Sequence, residues 1–402
     1  MKITISTIGK FQLFHLAQQL MKHKVLARLI NSYPKFETTR YGIPRNLARS
    51  IVSKEVIQRS WTHLPSFVRS VYNPTFAIHE FFDILASRSL VESGILTGTS
   101  STLLHTLRRA KKMGMITIVE RASAHIAYQD RILKDEYKRQ GAIPPRIQLP
   151  HPKIIEKELM EYEEADYISV PSFFAERTFL EYGVPKEKII HIPYGVDIEE
   201  FQQTPKTDDT FRVIFAGGMS FQKGVHYLIR AFHELHLPHA ELLLIGSMHK
   251  EMESFFDRYG VVRLNPKLYE TSKKERINYI GHVPQTELPK YYSQSSVFAM
   301  LSIQDGFGLV QAQAMACGVP VIASTNTGGE DLIREGKDGF IIGIRDVDSV
   351  KEKINFLYEH RDVCTEMGRS AKERISSGFT WDDYGDRIVA EYNRVLKEKG
   401  KI

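Results

Sequence analysis

Short apolar runs alternate with stretches of helical spacing along most of the chain, and the alternation is most regular in its second half. There, 211–216, 241–245, 279–280, 297–301, 321–323 and 336–342 read as buried strands, with 225–235 spaced as an amphipathic helix between the first two. In the first half, 1–5, 94–97, 115–119 and 167–172 read as strands, and 11–24, 101–112 and 173–182 as helices. Residues 40–90 read as mostly helical, broken at Pro44, Pro65 and Pro74. Residues 126–165 are charged, with Pro144, Pro145, Pro150 and Pro152 marking a break before a helix. Strands that alternate with helices predict α/β architecture with doubly wound parallel sheets. The polar run 202–210 reads as a linker between two such units.

The most informative stretch is 302–330. A Gly-punctuated loop follows an apolar strand and gives way to good helix formers from Leu309 to Ala316. Gly318 supplies a stop, Pro320 follows it, and Val321 resumes a strand. This is a βαβ unit with its Gly-rich loop at the carboxyl end of a strand, where helix N–H groups carry partial positive charge and glycine lets a ligand approach the main chain. Asp305 lies in the loop, and Gln313 follows eight residues on, inside the helix. These residues fit a ligand cradle, and they also fit a buried unit whose polar groups only cap.

Asp-Gly-Phe-Gly-Leu at 305–309, followed by Gln-Ala-Met-Ala-Cys-Gly-Val-Pro-Val-Ile-Ala-Ser at 313–324, resembles the signature segment of the family 4 retaining glycosyltransferases. The resemblance runs well from 189 to 396 and thinly before that. It implies the GT-B fold, two Rossmann-like doubly wound domains facing across a cleft. Residues 1–198 would form the acceptor-binding domain, with 380–402 packing back on it, and 199–379 the nucleotide-sugar-binding domain. The family pattern has Glu, seven residues, then Glu, whereas this chain has Asp305 and Gln313.

By this resemblance Asp305 stands near the donor sugar, Gln313 takes the ribose hydroxyls, and Gly306, Phe307, Gly308 and Leu309 form the donor loop. The loop 217–224, with Gly217, Gly218, Gln222 and Lys223, would meet the diphosphate. Family members usually offer an arginine and a lysine there, and the positions nearest that arginine are Gly218 and Gln222. His282 and Val283, in Gly-His-Val-Pro, resemble the loop that contacts the nucleobase. His125 follows a strand at the end where ligands bind, which also fits a structural histidine, and the resemblance implies that it faces donor sugar and acceptor. Arg121 is a candidate phosphate contact. Gly9, in the first strand-to-helix turn, would let a phosphate approach that helix.

The expected reaction is metal-independent transfer, with retention, of a sugar from a nucleoside-diphosphate sugar to a hydroxyl of a glycan or lipid-linked acceptor, in polysaccharide or cell-envelope glycan synthesis. The nucleotide sugar is a co-substrate, and no cofactor is expected. The missing arginine and Gln313 keep a second reading open, a catalytically weak or silent GT-B module acting as a binding or membrane-associated scaffold. A nucleotide-sugar epimerase of the same fold is a third.

Composition narrows the picture further. At 402 residues the chain exceeds the usual size of one core, so two domains are expected. No G-x-G-x-x-G or Walker sequence occurs, which argues against NAD and P-loop chemistry. Two cysteines, Cys317 and Cys364, are too few for a disulfide framework or a zinc site. The first residues lack the apolar core of a signal peptide, and no apolar run approaches the roughly 18 residues of a membrane span. A cytoplasmic chain is therefore expected.

The net charge of +6 is unevenly placed. Arg40, Arg45, Arg49, Lys54, Arg59 and Arg69 face Glu55 alone across 40–69, interleaved with apolar residues such as Val56, Ile57 and Trp61. This segment is a candidate for an anionic membrane surface at the inner face, or simply a solvated basic face. Nucleic acid is not an expected partner, because no recognition motif accompanies the charge.

Overall fold

The computed structural model describes residues 1–63, 72–145, 149–266, 269 and 276–401. Its strands build two seven-stranded sheets in which every recorded pairing is parallel. The first contains β1 (Ile3–Thr7), β2 (Leu26–Asn31), β3 (Ala48–Ser50), β4 (Ile95–Thr99), β5 (Ile116–Glu120), β6 (Tyr167–Val170) and β7 (Ile189–His191), in the order 3-2-1-4-5-6-7. The second contains β8 (Phe211–Ala216), β9 (Ala240–Ile245), β10 (Val262–Arg263), β11 (Ile277–Tyr279), β12 (Val297–Met300), β13 (Val321–Ser324) and β14 (Gly339–Ile342), in the order 10-11-9-8-12-13-14.

Parallel sheets are covered on both faces, so their strands carry nearly continuous apolar sequence. Accordingly β8, β9 and β12 are buried at every position. Each sheet also reverses its winding once, at β1/β4 and at β8/β12, and the crevice beyond such a reversal is where ligands bind in open α/β sheets.

The sequence pattern located the central strands, and the structure corrects it at the edge. Within 40–90, read as helical, β3 forms beside β2, a strand also missed. β2 interrupts its apolar run with Arg28, and β3 has three residues, so neither carries a clear period-two signal. The helix expected from 101 begins at Leu104, as Leu104–Lys112. Residues 100–103 turn instead, and the Glu161 carboxylate accepts the N–H groups of Ser101, Leu103 and Leu104 at 2.6, 2.8 and 3.0 Å. Residues 126–165 hold two helices, Ile126–Arg139 and Pro152–Glu164. Of the basic segment 40–69, residues 64–69 lie outside the described residues.

The last helix, Trp381–Glu398, packs on the first sheet's side of the molecule although the chain has by then built the second sheet. Thr380 and Asp383 form a reciprocal capping box at its start. Trp381 stacks on His15 of helix Phe11–Lys22 at 4.1 Å, Asp382 pairs with Lys22 at 2.6 Å, and the Tyr392 hydroxyl donates to Glu120 at 3.3 Å. The chain crosses between the two sheets twice, side by side: the Val196 N–H donates to the Phe379 carbonyl at 2.8 Å, and a Cβ on Gly195 would lie 2.5 Å from the Thr380 carbonyl oxygen. Among the described residues, no helix is long and apolar enough to cross a membrane.

One glycine fixes the geometry of the second sheet's mouth. Gly224, at φ +65°, starts helix Val225–Leu235 in the left-handed region, and a Cβ there would lie 1.9 Å from the Leu301 carbonyl oxygen at the end of β12. Gly224→Ala is expected to destabilise the fold by about 3 kcal/mol, because strain at φ adds to a clash with backbone that cannot rotate away. Gly141, at φ +62° with open space around it, is the control: Gly141→Ala should cost only about 1 kcal/mol. Urea unfolding of the two variants measures the difference, and equal losses would show that the close approach at Leu301 does not constrain the loop.

Candidate active site

The loops that leave β8 and β12 meet at the second sheet's switch point and bring Lys223 and Asp305 together as an ion pair. Gly308, at φ +72°, ends the second loop and starts helix Leu309–Ala316, so this loop turns sharply into a helix N-terminus. Two adjoining cavities open here. The first, about 300 Å³, is lined by Lys223, Asp305, Phe307, Gly308 and Leu309 from the second sheet's side, and by Gln12, Ala122 and Tyr194 from the first. The second, about 340 Å³, is lined by Ser247, His282, Val283, Leu288 and Gln313. Ala216, Gly217, Gly218 and Val310 belong to both walls, so the two form one groove with a waist at the glycine loop.

The polar content of the groove is small and specific. Among the described residues Lys223 is the only lysine or arginine lining either cavity, and its partner Asp305 is a carboxylate on the same wall. Gln313 Oε1 is buried without a hydrogen-bond partner among the described residues. An acceptor in that condition, on the wall of a cavity, is costly unless something donates to it. The neighbouring Gln311 has an unpartnered Oε1 of its own among the described residues, but its Nε2 donates to the Phe307 carbonyl at 2.8 Å and holds the loop to the helix.

Of the residues singled out from the sequence, Lys223, Asp305, Phe307, Gly308, Leu309, Gly217 and Gly218 line the first cavity, and His282, Val283 and Gln313 the second. The others are placed differently. His125, expected to face sugar and acceptor, is buried inside the first sheet's side. It caps helix Ile126–Arg139, Nδ1 accepting from the Ala127 N–H at 3.3 Å, and its ring stacks on Tyr182 at 4.4 Å and meets Phe179 at 5.0 Å. Burial and the nearby Arg121 push its pKa down to about 4. The residue of its loop that lines the groove is Ala122.

Arg121, the candidate phosphate contact, is spent on protein groups: it pairs with Glu158 at 3.1 Å, and donates to Gln129 at 2.6 Å and to the Ala124 carbonyl at 3.0 Å. Gln222 donates to Gln304 at 3.1 Å and joins the two loops from behind. Gly306 serves the union of the two halves, since a Cβ there would lie 2.0 Å from the Ala122 carbonyl oxygen. Gly9 sits in the turn after β1 with its N–H on the Thr7 hydroxyl, and from that turn and helix it is Gln12 that reaches the groove.

Sequence reasoning missed Gln12, Ala122, Tyr194 and Val310. Gln12 had a usable signal, being the second residue of the helix after Gly9 beyond a switch-point strand. Tyr194 had none, because its place against Phe307, 5.4 Å between ring centres, depends on how the two halves meet.

That union is extensive on one side of the groove. Ser172 donates to the Gly306 carbonyl, Gln304 to Ser123, and Asn326 to the Tyr128 hydroxyl at 3.1 Å. Further along, Glu136 bonds His226 at 3.0 Å, Tyr227 at 2.8 Å and Arg345 at 2.6 Å, and these partners hold its carboxyl at about 2 against the opposing effect of burial.

Two parallel sheets meeting across a groove at their switch points define a two-domain Rossmann-like protein of the GT-B class. Over 98% of this chain and 100% of its own, HepE from Anabaena, solved in complex with UDP and glucose, is similar with a TM-score of 0.67 at 15% identity, a likeness of fold. Residues 196–374 match the family model of the glycosyl transferases group 1. Among curated relatives, the capsular polysaccharide biosynthesis glycosyltransferase CapM of Staphylococcus aureus is 28% identical over 215 residues, 51% of this chain and 54% of the relative. The GDP-mannose-dependent alpha-(1-6)-phosphatidylinositol monomannoside mannosyltransferase of Mycolicibacterium smegmatis is 25% identical over 248 residues, 56% and 62% of the two chains. The matches thus span about half to just under two thirds of these relatives' length.

The position of His125 has a measurable consequence. Its folded pKa, about 4, lies below the ordinary value of 6.5, so between pH 6.5 and 4 the unfolded chain binds the extra proton and stability falls as the pH drops. The His125 ring is expected to titrate near pH 4 by NMR. His125→Asn, which keeps a capping side chain, should remove this pH-dependent component and leave nucleotide affinity unchanged. A midpoint near 6.5, or a loss of nucleotide affinity, would return His125 to the groove.

Proposed function

We propose that the protein is a retaining, metal-independent glycosyltransferase that transfers a sugar from a nucleoside-diphosphate sugar to a hydroxyl of a glycan or lipid-linked acceptor, in polysaccharide or cell-envelope glycan synthesis. The observation that carries this reading is the placement of Lys223 and Asp305 on the wall of the first of two adjoining cavities, the second of which holds the unpartnered Gln313 acceptor. The second cavity takes the nucleoside, its ribose hydroxyls donating to Gln313 and its base lying along His282 and Val283. The waist at Gly217 and Gly218 takes the diphosphate, and the first cavity takes the sugar.

In the reaction the bond from the anomeric carbon to the diphosphate oxygen breaks, and a bond to the acceptor oxygen forms on the same face of the sugar. The acceptor proton leaves to a departing phosphate oxygen. Negative charge grows on the leaving diphosphate, and Lys223, with the N–H groups that start helix Leu309–Ala316, stabilises it. Asp305 holds Lys223 in place beforehand and stands beside the positive charge that develops on the sugar. The similarity to CapM, a capsular polysaccharide biosynthesis glycosyltransferase, and to a phosphatidylinositol monomannoside mannosyltransferase supports the acceptor class.

A cytoplasmic site at the inner face of a membrane completes this reading. It is supported by helix Ser53–Thr62, which exposes Val56, Ile57 and Arg59 together. The second reading, a silent GT-B scaffold, draws on one observation: among the described residues, the only lysine or arginine lining the groove is already paired with Asp305.

A panel of UDP, GDP and ADP in thermal-shift and calorimetric titrations separates the two readings. Stabilisation by one of them is expected, and none by any would favour the scaffold. With the matching nucleotide sugar, Lys223→Ala should lower kcat/KM by about 100-fold or more, the usual loss when one preorganised donor to a leaving group is removed. A change of less than about threefold would be uniform with lost packing and would remove Lys223 from the chemistry. Gln313→Glu restores a charged acceptor and should hold or strengthen nucleotide affinity; a marked weakening would refute the ribose role of this position.

A further inference from the structure

On the first sheet's side, five cationic side chains that line no part of the groove converge on a separate cavity of about 340 Å³. Arg28 comes from β2, Lys35 opens helix Lys35–Arg40, Arg45 and Arg49 lie on the segment that enters edge strand β3, and Arg88 caps helix Thr75–Ser87. The remaining lining residues, Asn46, Ala48 and Ser89, are neutral. Four elements, three of them between residues 28 and 49 and the fourth at Arg88, therefore place cations, and among the described residues no carboxylate, around one concavity.

An ordinary solvated face does not look like this. Several exposed arginines elsewhere sit beside carboxylates, Arg108 on Glu164 and Arg131 on Glu181 at 2.6 Å, and Arg394 between Glu391 and Glu398, and those with no recorded ion pair, such as Arg109, Arg258 and Arg361, line no part of this cavity. None of the five cavity cations has a recorded ion pair among the described residues. The acidic residue nearest in sequence, Glu37, is taken by Lys10 and Arg40. Like charges held around a concavity repel, and their summed field concentrates anions. Arg28 is also fixed in direction, its Nη1 donating to the Ser89 carbonyl at 3.2 Å while the rest of its guanidinium stays available. Guanidinium forks match phosphate oxygens in pairs, which is why arginine outnumbers lysine where phosphate is held.

We propose that this cavity is a second anion site, specific for a phosphate group of high charge density, a phosphomonoester or a diphosphate. The group is carried either by a lipid headgroup or by a soluble molecule. The site shares no residue with the groove and stands whether or not the groove transfers sugar.

The test titrates the full chain with inorganic pyrophosphate by calorimetry, in parallel with flotation on vesicles of phosphatidylcholine containing phosphatidate at about one lipid in five. Arg45→Ala/Arg49→Ala removes two exposed cations outside the fold's core, and Lys223→Ala controls for pyrophosphate binding in the groove. Saturable binding that survives Lys223→Ala, weakens about tenfold or more in the double variant and falls with added salt supports the site. If the vesicles also bind and the double variant releases them, the phosphate belongs to a lipid; if only pyrophosphate binds, it belongs to a soluble ligand. Absence of binding in both arms, or binding indifferent to the double substitution, overturns the proposal. Unchanged UDP affinity in the double variant would show that such a loss is not misfolding.

Discussion

The groove depends on how closely two backbones approach at Gly306. A side chain of any size there would meet the carbonyl of Ala122, so the loop bearing Asp305 can lie flat against the first sheet's side only because this position has no Cβ. Ser172 and Ser123 then reach the carbonyl of Gly306 and the side chain of Gln304, and the loop is held from both directions. Behind it Gln222 links the two loops of the second sheet. Lys223 and Asp305 are thus placed by contacts that lie almost wholly outside the groove.

The electrostatic arrangement follows from the same economy of groups. On the first sheet's side, charge is consumed internally. Arg121 is bound to Glu158, and burial beside Glu158 raises Glu161 to about 8 even as that residue accepts three main-chain N–H groups. The groove wall from that side is correspondingly neutral, made of Gln12, Ala122 and Tyr194. Ionic character is concentrated on the opposite wall, in one pair. A diphosphate entering there competes with Asp305 for Lys223, so the groove's affinity and the strength of its internal pair are set against each other.

Much of this was legible in the sequence, for identifiable reasons. β8, helix Val225–Leu235 and helix Leu309–Ala316 fall where apolar period, glycine and proline placed them, because each element's neighbours in space are also its neighbours in sequence. Lys223, Asp305 and Gln313, singled out through the resemblance of their loops and helix to a known signature, all line the groove. His125 and Arg121 had the right place along the chain, just past a switch-region strand, yet side-chain direction is decided by packing that pattern does not encode. Tyr182 and Glu158, which claim them, come from helices far along the sequence. Gly306 was seen to be special, but the backbone it admits is that of the other half of the protein and not that of a ligand. The five-cation cavity was half visible, since Arg45 and Arg49 stood out as charge while Arg28 and Arg88 join them only through the tertiary fold.

The return of the last helix has a bearing on how the protein is made. Helix Trp381–Glu398 supplies Tyr392 to the buried Glu120 and Leu396 to the core around Ile3, so the half of the molecule synthesised first lacks part of its interior until this helix has been made. At ordinary translation rates the intervening residues take about 10–40 s to appear. During that interval the emerging first half must remain soluble with an apolar surface uncovered, while the second sheet, whose elements are contiguous in sequence, can fold before it. The order of synthesis and the order of completion are therefore reversed between the two halves.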